Sequence, residues 1–262
     1  MQRVWAGLID LLFPPRCAGC GARGALFCAR CEAALAWMRP PVCERCGDAL
    51  AGDANAAAYC DACCRTPPAF AVARSLAAYD GPLRQAIHAL KYRQQRAVAE
   101  PLGALLARAV PGEVAVGVTA VVPVPLHPAR QTTRGFNQSA LLARPVARAL
   151  DVPLVPHAIR RARQEASQAG LGATARRRNV LTAFEPDSVS VAGRVLLIDD
   201  VFSTGATADA CARALLARGA ASVGVLTLAR AVLRLTLHDW KSGGGSRTVT
   251  LVPQMSSPRA DR

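Results

Sequence analysis

The chain has 262 residues, enough for one large domain or two smaller ones, and 52% of them are hydrophobic, so it can bury a core. Its formal net charge of +14 comes from 32 basic residues against 18 acidic ones, and only Lys91 and Lys241 are lysines. No apolar run approaches the roughly 18–20 residues of a membrane span, which speaks against a membrane-spanning helix. The positive charge invites a nucleic-acid partner, although an arginine-rich, alanine-rich composition also raises it without such a role.

The pattern of the first thirteen residues predicts a helix. Met1–Phe13 carries apolar side chains such as Trp5 and Leu8, but it also holds Asp10 and runs into Pro14-Pro15 with no small-residue cleavage site. This pattern favours a short amphipathic helix over a signal peptide, and we therefore expect a cytoplasmic protein.

Nine of the ten cysteines lie between residues 17 and 64, and eight of them form four C-x₂-C pairs. In a reducing compartment, thiolates at this spacing suit tetrahedral Zn²⁺ better than they suit disulfides. We predict two structural Cys₄ zinc sites in a pair of zinc ribbons, with the ligands Cys17, Cys20, Cys28, Cys31, Cys43, Cys46, Cys60 and Cys63. Sequential pairing would close loops of seven and thirteen residues, and an interleaved, cross-braced pairing is the alternative. We expect Cys64 to be an exposed free thiol and Cys211 to be a packing residue.

The segment Thr66-Pro67-Pro68 is typical of a domain boundary. Beyond it, the patterns predict a strand or hairpin, a helix capped by Asp80, a second helix and another strand, over Ala69–Tyr79, Asp80–Arg93, Ala97–Ala109 and Ala120–Val124. The second predicted strand ends in the loop VVPVPLHPARQTTRGFNQS. Prolines donate no N–H there, so any anion in the loop would meet later amides, with help from Arg130 and Arg134.

The loop leads into a predicted helix over Gln138–Leu150, with Asn137 as its cap and Pro145 as an expected kink. We interpret His127 as a turn residue, with a role in a site as the alternative.

The second half of the domain alternates strands with an arginine-rich segment. We predict short strands over Val152–Val155 and Ala221–Leu228, and a mobile loop with a short basic helix over Ala158–Asn179. Six arginines cluster between residues 160 and 178, which suits pyrophosphate, single-stranded nucleic acid or plain solvation. The glycine-, proline- and serine-rich segment 241–262 is typical of a disordered tail.

The most informative stretch is GRVLLIDDVFSTGAT, residues 193–207. Its apolar run predicts a strand buried on both faces that ends at Asp199 and Asp200. A glycine- and hydroxyl-bearing turn follows, and then a helix that Gly219 stops. Free amides at a helix N-terminus bind phosphate, whereas carboxylates repel it. A phosphorylated ribose satisfies both features, because its hydroxyls can donate to the acids.

This stretch resembles the 5-phosphoribosyl-1-pyrophosphate (PRPP) binding motif of type I phosphoribosyltransferases, with Ser203 where that family usually has threonine. The resemblance implies that Asp199 and Asp200 hold the ribose, and that the residues after them bind PRPP: Val201, Phe202, Ser203, Thr204, Gly205, Ala206 and Thr207. The loop after residue 124 resembles the pyrophosphate loop of the same family. This second resemblance implies catalytic roles for Arg130 and Arg134. The further PRPP-binding candidates are Lys91, Asn137, Gln138, Arg176 and Arg177. Gln168 and Asn179 lie in the same arginine-rich segment, which takes the position of that family's flexible hood.

The motifs ALKY, VPVPLHPAR, RGFNQS, QAGL…RRRN and LLIDDVFSTGAT, after a cysteine-paired region, resemble the ComF family over residues 1–230. The resemblance implies an α/β fold, with a type I phosphoribosyltransferase-like parallel sheet flanked by helices and preceded by a small double zinc ribbon. The expected domains are 1–66 (N-terminal helix and zinc ribbons), 67–232 (phosphoribosyltransferase-like) and 233–262 (tail). The expected cofactors are two structural Zn²⁺ ions, and Mg²⁺ bound together with PRPP.

Family members are associated with competence and DNA utilisation, which leaves two main hypotheses. The first is a PRPP-dependent transferase with an unassigned acceptor. The second is a PRPP-sensing adaptor that binds single-stranded DNA or a helicase partner through its ribbons and basic patch. An adaptor held together by zinc, with both sites inert, is a third.

Overall fold

The computed structural model describes residues 14–50, 58–161 and 183–231. In chain order, these residues form the helices α1 (Ala29–Ala33) and α2 (Asp61–Arg65), strand β1 (Val72–Ala78), helix α3 (Gly81–Tyr92), a 3₁₀ turn (Arg96–Val98), helices α4 (Ala99–Arg108) and α5 (Gly112–Ala115), strand β2 (Val118–Pro123), helices α6 (Pro128–Arg134) and α7 (Gln138–Leu150), strands β3 (Ile159–Arg161), β4 (Phe184–Pro186) and β5 (Gly193–Phe202), helix α8 (Ala206–Ala217) and strand β6 (Ala220–Arg230).

Within the described residues, four strands form a fully parallel sheet in the order β1-β6-β5-β2. The central strand β5 is buried because successive apolar residues face opposite sides of the sheet. Leu196 and Ile198 pack against α3, α4 and α7, while Val195 and Leu197 pack against α8. The result is the predicted α/β architecture, with helices on both faces of a parallel sheet.

Caps fix the ends of the helices beside the site. The Asp80 carboxylate accepts the N–H of Gly81 at the start of α3, and Asn137 Oδ1 accepts the N–H of Ser139 at the start of α7. Helix α7 runs over the predicted residues and continues through Pro145. At Gly103 of α4, an added Cβ would lie 2.8 Å from Pro145 Cγ, so a glycine lets α4 and α7 approach closely.

The cysteine-rich segments lie along the outer edge of β1. Trp37 forms an antiparallel bridge with Ala77, and the N–H of Ala73 donates to the carbonyl of Arg45 at 2.6 Å. The two ribbons thereby cover an edge that would otherwise expose unpaired backbone groups.

Four expectations differ from the structure. Strand β5 continues past Asp199 and Asp200 to Phe202, because it stays paired with β6 up to Arg230. The loop after β2 contains the helix α6, which His127 caps by accepting the N–H of Ala129. Residues 152–155 form one bridge, Leu154 to Val121, and no strand. The predicted mobile loop begins with β3, which pairs antiparallel with β4.

The remainder of that loop, the N-terminal helix and the expected tail lie outside the described residues. In the described part of the chain, none of the helices has the length and apolarity needed to cross a membrane.

Candidate functional site

The eight paired cysteines form two clusters, each with four thiols whose sulfur atoms lie within 4.8 Å of one another. The first cluster joins Cys17, Cys20, Cys28 and Cys31, and the second joins Cys43, Cys46, Cys60 and Cys63. This is the sequential pairing, and it excludes the cross-braced alternative. Sulfur–sulfur distances of 3.6 Å (Cys17–Cys31) and 3.7 Å (Cys46–Cys60) match the roughly 3.8 Å edge of a tetrahedron with Zn–S bonds of about 2.3 Å.

Each cluster is preorganised by its backbone. Gly21 and Gly47 follow the second cysteine of a pair with φ of 77° and 72°, a conformation that favours glycine. Burial raises the pKa of Cys43, but amides aimed at its sulfur outweigh burial and bring the pKa down to about 7. Amide and Arg30 contacts lower the pKa of Cys20 to about 6. Each cluster therefore has one thiol that ionises readily, whereas burial raises the pKa of others such as Cys46, to about 11, so that metal binding must release their protons. Cys64 is exposed and Cys211 is buried, as expected.

Asp199 lies near the carboxyl end of β5 and is partly buried. Its Oδ1 accepts the hydroxyl of Ser139 at 2.8 Å and the N–H of Asp200 at 2.9 Å. Burial and the charge of Asp200 raise the pKa of Asp199 to about 7, against the opposing effects of Lys91 and Ser139. Helix α7 thus holds a carboxyl group whose charge changes near neutral pH.

Asp200 points to the other side of the sheet. Its Oδ2 lies 2.7 Å from Lys91 Nζ at the end of α3, with the two side chains 4% and 18% exposed. Burial lowers the pKa of Lys91, but the charges of Asp200 and Asp199 outweigh burial and leave the pKa above its usual value. The pair is therefore an ion pair, and Lys91 compensates a buried carboxylate.

The turn Ser203–Gly205 joins β5 to α8, and we call it the phosphate turn. Ser203 and Thr204 are exposed, and Gly205 caps α8 with φ of 79°. Within the described residues, the amides of these three residues donate to no protein group. The amides of Thr207 and Ala208, in the first turn of α8, have no acceptor within the helix and add donors beside them, whereas the Ala206 amide donates to Thr204 Oγ1 at 3.4 Å. The turn therefore presents a cluster of N–H groups that suits a phosphate.

One cleft brings these groups together at the carboxyl edge of the sheet. Asp199 lines it together with Val201 and Phe202, with Ser203, Gly205 and Thr207 of the following turn, and with Thr227 of β6. Asp199 and Thr227 are register partners on neighbouring strands. Ligands of open parallel sheets bind at this edge.

The remaining predicted residues have other surroundings. Arg130 is exposed on α6, whereas Arg134 donates to Gln138 Oε1 at 2.6 Å and lies over the ring of Tyr92. Both polar groups of Asn137 are used, one on the cap and one in a hydrogen bond to the carbonyl of Val124. Gln168, Arg176, Arg177 and Asn179 lie outside the described residues.

Sequence reasoning missed Ser139, Thr227 and Arg230. Ser139 lies inside the RGFNQS motif, so the motif was a signal, but sequence alone does not show that its hydroxyl reaches Asp199. Thr227 is a polar residue inside an otherwise apolar strand, which is a weak signal for a site at the strand end. Nothing in the sequence singles out Arg230 among thirty arginines.

Comparisons with known proteins agree with this architecture. The double zinc ribbon domain family matches residues 8–64, and the phosphoribosyl transferase domain family matches residues 137–241. The DNA utilization protein YhgH of Salmonella typhimurium (strain LT2) is 33% identical over 207 residues, which cover 78% of this chain and 89% of that protein. Competence protein F of Haemophilus influenzae is 32% identical over 201 residues, which cover 73% of this chain and 85% of that protein.

Solved structures of phosphoribosyltransferases are also similar. The orotate phosphoribosyltransferase of Aeropyrum pernix is 19% identical with a TM-score of 0.32, and covers 56% of this chain and 64% of that one. The adenine phosphoribosyltransferase of Thermoanaerobacter pseudethanolicus is 17% identical with a TM-score of 0.34, and covers 58% and 76%.

The sheet, the two cysteine clusters and the matched domains define a phosphoribosyltransferase-type α/β domain preceded by a double zinc ribbon. The chain belongs to the ComF family, with YhgH and competence protein F among its relatives. The family expected from the sequence motifs is thereby confirmed.

Proposed function

We propose that this chain binds PRPP together with Mg²⁺ in the cleft at Asp199 and transfers its phosphoribosyl group to an acceptor. The observation that supports the proposal is the position of Asp199 beside the unbonded amides of the phosphate turn, in one cleft at the carboxyl edge of the sheet. A carboxylate and a cluster of N–H groups a few residues apart suit a ligand that carries both hydroxyls and a phosphate.

The 5′-phosphate and the ribose of PRPP each have binding groups in this cleft. The 5′-phosphate accepts the N–H groups of the phosphate turn and the hydroxyls of Ser203 and Thr207. A ribose hydroxyl donates to Asp199, the carboxylate that lines the cleft. Lys91 holds the buried Asp200 as an ion pair, so Asp200 contributes through the field and shape of the strand end.

The transfer itself breaks the bond between C1 of ribose and the pyrophosphate oxygen, and it forms a bond from the acceptor nucleophile to C1. The pyrophosphate leaves with the bonding electron pair, and the acceptor's proton goes to solvent. Arg130, exposed on α6, is the candidate for stabilising the departing negative charge. Carboxylate oxygens such as those of Asp199 suit Mg²⁺, which would neutralise pyrophosphate charge when bound with PRPP.

A thermal-shift series tests the binding step. PRPP with Mg²⁺ should raise the melting temperature more than ribose 5-phosphate or pyrophosphate alone, because it can contact the phosphate turn, Asp199 and Arg130 at once. The S203A/T207A variant removes two hydroxyl donors and should lose part of this shift, while S188A, at an exposed position after β4 and outside the cleft, should retain it. Equal shifts with all three ligands would argue against a PRPP site.

A second candidate function is a PRPP-sensing adaptor that binds single-stranded DNA. The names of the relatives point to DNA, and the second ribbon presents Tyr59, 40% exposed, with the Arg45 guanidinium 5.4 Å from its ring centre. An exposed aromatic ring beside a cation suits base stacking and phosphate contact. The groove beside them also holds Glu44 and Glu113, which weakens this case.

Fluorescence anisotropy with a labelled oligonucleotide tests the adaptor. Affinity should fall steeply with salt, Y59A should weaken binding by roughly tenfold, and Y59F, which keeps the ring, should not. Salt-insensitive binding would count against it. Pyrophosphate release from PRPP in the presence of nucleobases or DNA separates the two functions, because only the transferase turns over.

A further inference from the structure

A buried arginine bridges the second cysteine cluster and the end of the central sheet. Arg230 is the last residue of β6, and its side chain is 5% exposed. Its Nη1 donates to the carbonyl of Cys46 at 2.7 Å, its Nη2 lies 3.7 Å from Cys46 Sγ, and its Nε donates to Asp48 Oδ1 at 3.0 Å. One guanidinium therefore contacts the sulfur, the backbone and the flanking acid of one metal knuckle.

The same guanidinium lies against the site. Its central carbon is 4.7 Å from the centre of the Phe202 ring, and that ring packs edge-on against Phe70 at 6.0 Å. A Cβ built on Gly205 would lie 2.7 Å from Phe202 Cζ, so the phosphate turn rests directly on this ring. The N–H of Ala231 also donates to the carbonyl of Phe202 at 2.9 Å. Arg230 and its neighbour thus fix both the ring and the backbone beneath the turn.

We propose that Arg230 is a positioning residue that couples the second Cys₄ site to the phosphate turn, so that metal binding at one strengthens ligand binding at the other. Four thiolates around Zn²⁺ carry a net negative charge, and a buried guanidinium at Cys46 compensates it while staying stacked on Phe202. The guanidinium makes three contacts with the turn at Cys46 and Asp48. When the metal leaves, that turn is no longer held in place by Cys46 and the other ligands. The support of Phe202 and of the turn above it then weakens.

Among the residues that the structure describes, none connects the first cysteine cluster to the phosphate turn in this way. Its ribbon packs on the other face of the sheet, where Ala18, Leu26 and Phe27 contact the cluster of α3 and α4. Its ion pair to the domain, Glu32 with Arg108, is largely exposed. The coupling is therefore expected for the second site alone.

Coupling between two sites is reciprocal, so the wild-type protein provides the first test. The zinc-loaded full-length chain is treated with a chelator and a thiol-alkylating reagent, with and without PRPP and Mg²⁺, and modification is followed cysteine by cysteine by peptide mass spectrometry. PRPP should slow modification of the second-site cysteines by about fivefold or more and leave the first-site cysteines unchanged. Equal protection of both sites, or none while PRPP binds, overturns the proposal.

Two arginine variants complete the test. R230M should weaken zinc retention at the second site by about tenfold or more and abolish the protection by PRPP, whereas R230K should restore part of both. The matched control is R74M, because Arg74 donates to the carbonyls of Cys43 and Glu44 in the same ribbon and belongs to none of the contacts around Phe202. R74M should keep the PRPP protection. An R230M protein that behaves like R74M overturns the proposal.

The ligand half of this inference rests on the proposed function, and the two can fail separately. If the wild-type chain does not bind PRPP, the proposed function fails, and zinc retention in R230M against R74M still decides whether Arg230 supports the metal site. If PRPP binds without site-selective protection, only the coupling fails.

Discussion

At the scale of single residues, Asp199 and Asp200 are neighbours in the chain but have different surroundings. Successive side chains of a strand face opposite sides of the sheet, so one carboxylate lines the cleft while the other meets Lys91. The acid pair in the sequence predicts a site at the strand end. It does not reveal this division, which depends on where α3 and α7 end in space.

The pKa of Asp199 predicts a pH-dependent affinity. Burial and Asp200 raise it to about 7, so the carboxylate that accepts a ribose hydroxyl is mostly protonated at pH 6 and mostly ionised at pH 8. PRPP affinity should rise about tenfold between these pH values. Titration calorimetry of wild type and D199N measures it, and the variant corrects for protonation of the ligand itself. A parallel pH profile in D199N contradicts the assignment.

The same shift affects stability. The folded carboxyl keeps its proton up to about pH 7, whereas the unfolded chain releases it near pH 3.8. Its stabilising contribution is therefore complete below about pH 4 and is lost as the pH rises to about 7. The D199N protein should lack this decline.

The Lys91–Asp200 ion pair predicts that removing one partner destabilises the protein more than removing both. K91M leaves a buried carboxylate without its cation and should lower the free energy of unfolding by about 3–5 kcal/mol. The double variant K91M/D200N removes both charges and should be more stable than K91M, because no uncompensated charge remains. Urea unfolding measures both. If the double variant loses as much free energy of unfolding as K91M and D200N lose together, the two groups are not coupled.

Replacing Gly205 by alanine should lower both stability and PRPP affinity. The same replacement at Gly117 separates the cost of the positive φ from the cost of the clash with Phe202. G205A combines a positive φ with a Cβ 2.7 Å from the Phe202 ring, whereas G117A has a similar φ and open space around it. G117A should cost about 1–2 kcal/mol of stability, and G205A should cost more and weaken PRPP binding as well. Urea unfolding and calorimetry measure the two effects. Equal behaviour of the two variants would contradict a phosphate turn that rests on Phe202.

At the scale of secondary structure, helix α7 connects the end of β2 to the site. Asn137 caps the helix and donates to the carbonyl of Val124, and two residues later Ser139 donates to Asp199. N137A loses both bonds and should lower the free energy of unfolding by about 2 kcal/mol, whereas N137S retains the cap and should lose about 1. Identical unfolding of the two variants would show that the cap contributes nothing, and an N137S protein as stable as wild type would show that the bond to Val124 contributes nothing.

Elements whose determinants are local are the ones the sequence predicts well. Helix α7 occupies the predicted residues because its Asn137 cap is adjacent in sequence, and the unbroken apolar run of β5 predicts a buried strand. The extension of β5 to Phe202 depends on pairing with β6, and β3 depends on a strand more than twenty residues away. Helix α6 lies in a segment whose prolines and glycine suggest a loop, yet Pro128 suits its first turn.

At the scale of the whole molecule, the two zinc ribbons cover one edge of the sheet and one of them meets the site. The cysteine spacing predicts the metal ligands, because each pair needs only a local turn. It does not predict the contact of Arg230 with Cys46, which joins residues 184 positions apart. The position of the ribbons on the domain also depends on contacts between distant residues, so the sequence does not predict it.

The central claim is that Asp199 and the phosphate turn together bind PRPP, and titration calorimetry with PRPP and Mg²⁺ tests it most directly. The matched control is D151N, which neutralises an exposed aspartate at a positive-φ position that asparagine tolerates. We predict one PRPP bound per chain by wild type and D151N, and affinity at least tenfold weaker in D199N at pH 8. D199N binding PRPP as tightly as wild type, or no binding by wild type, would contradict the account.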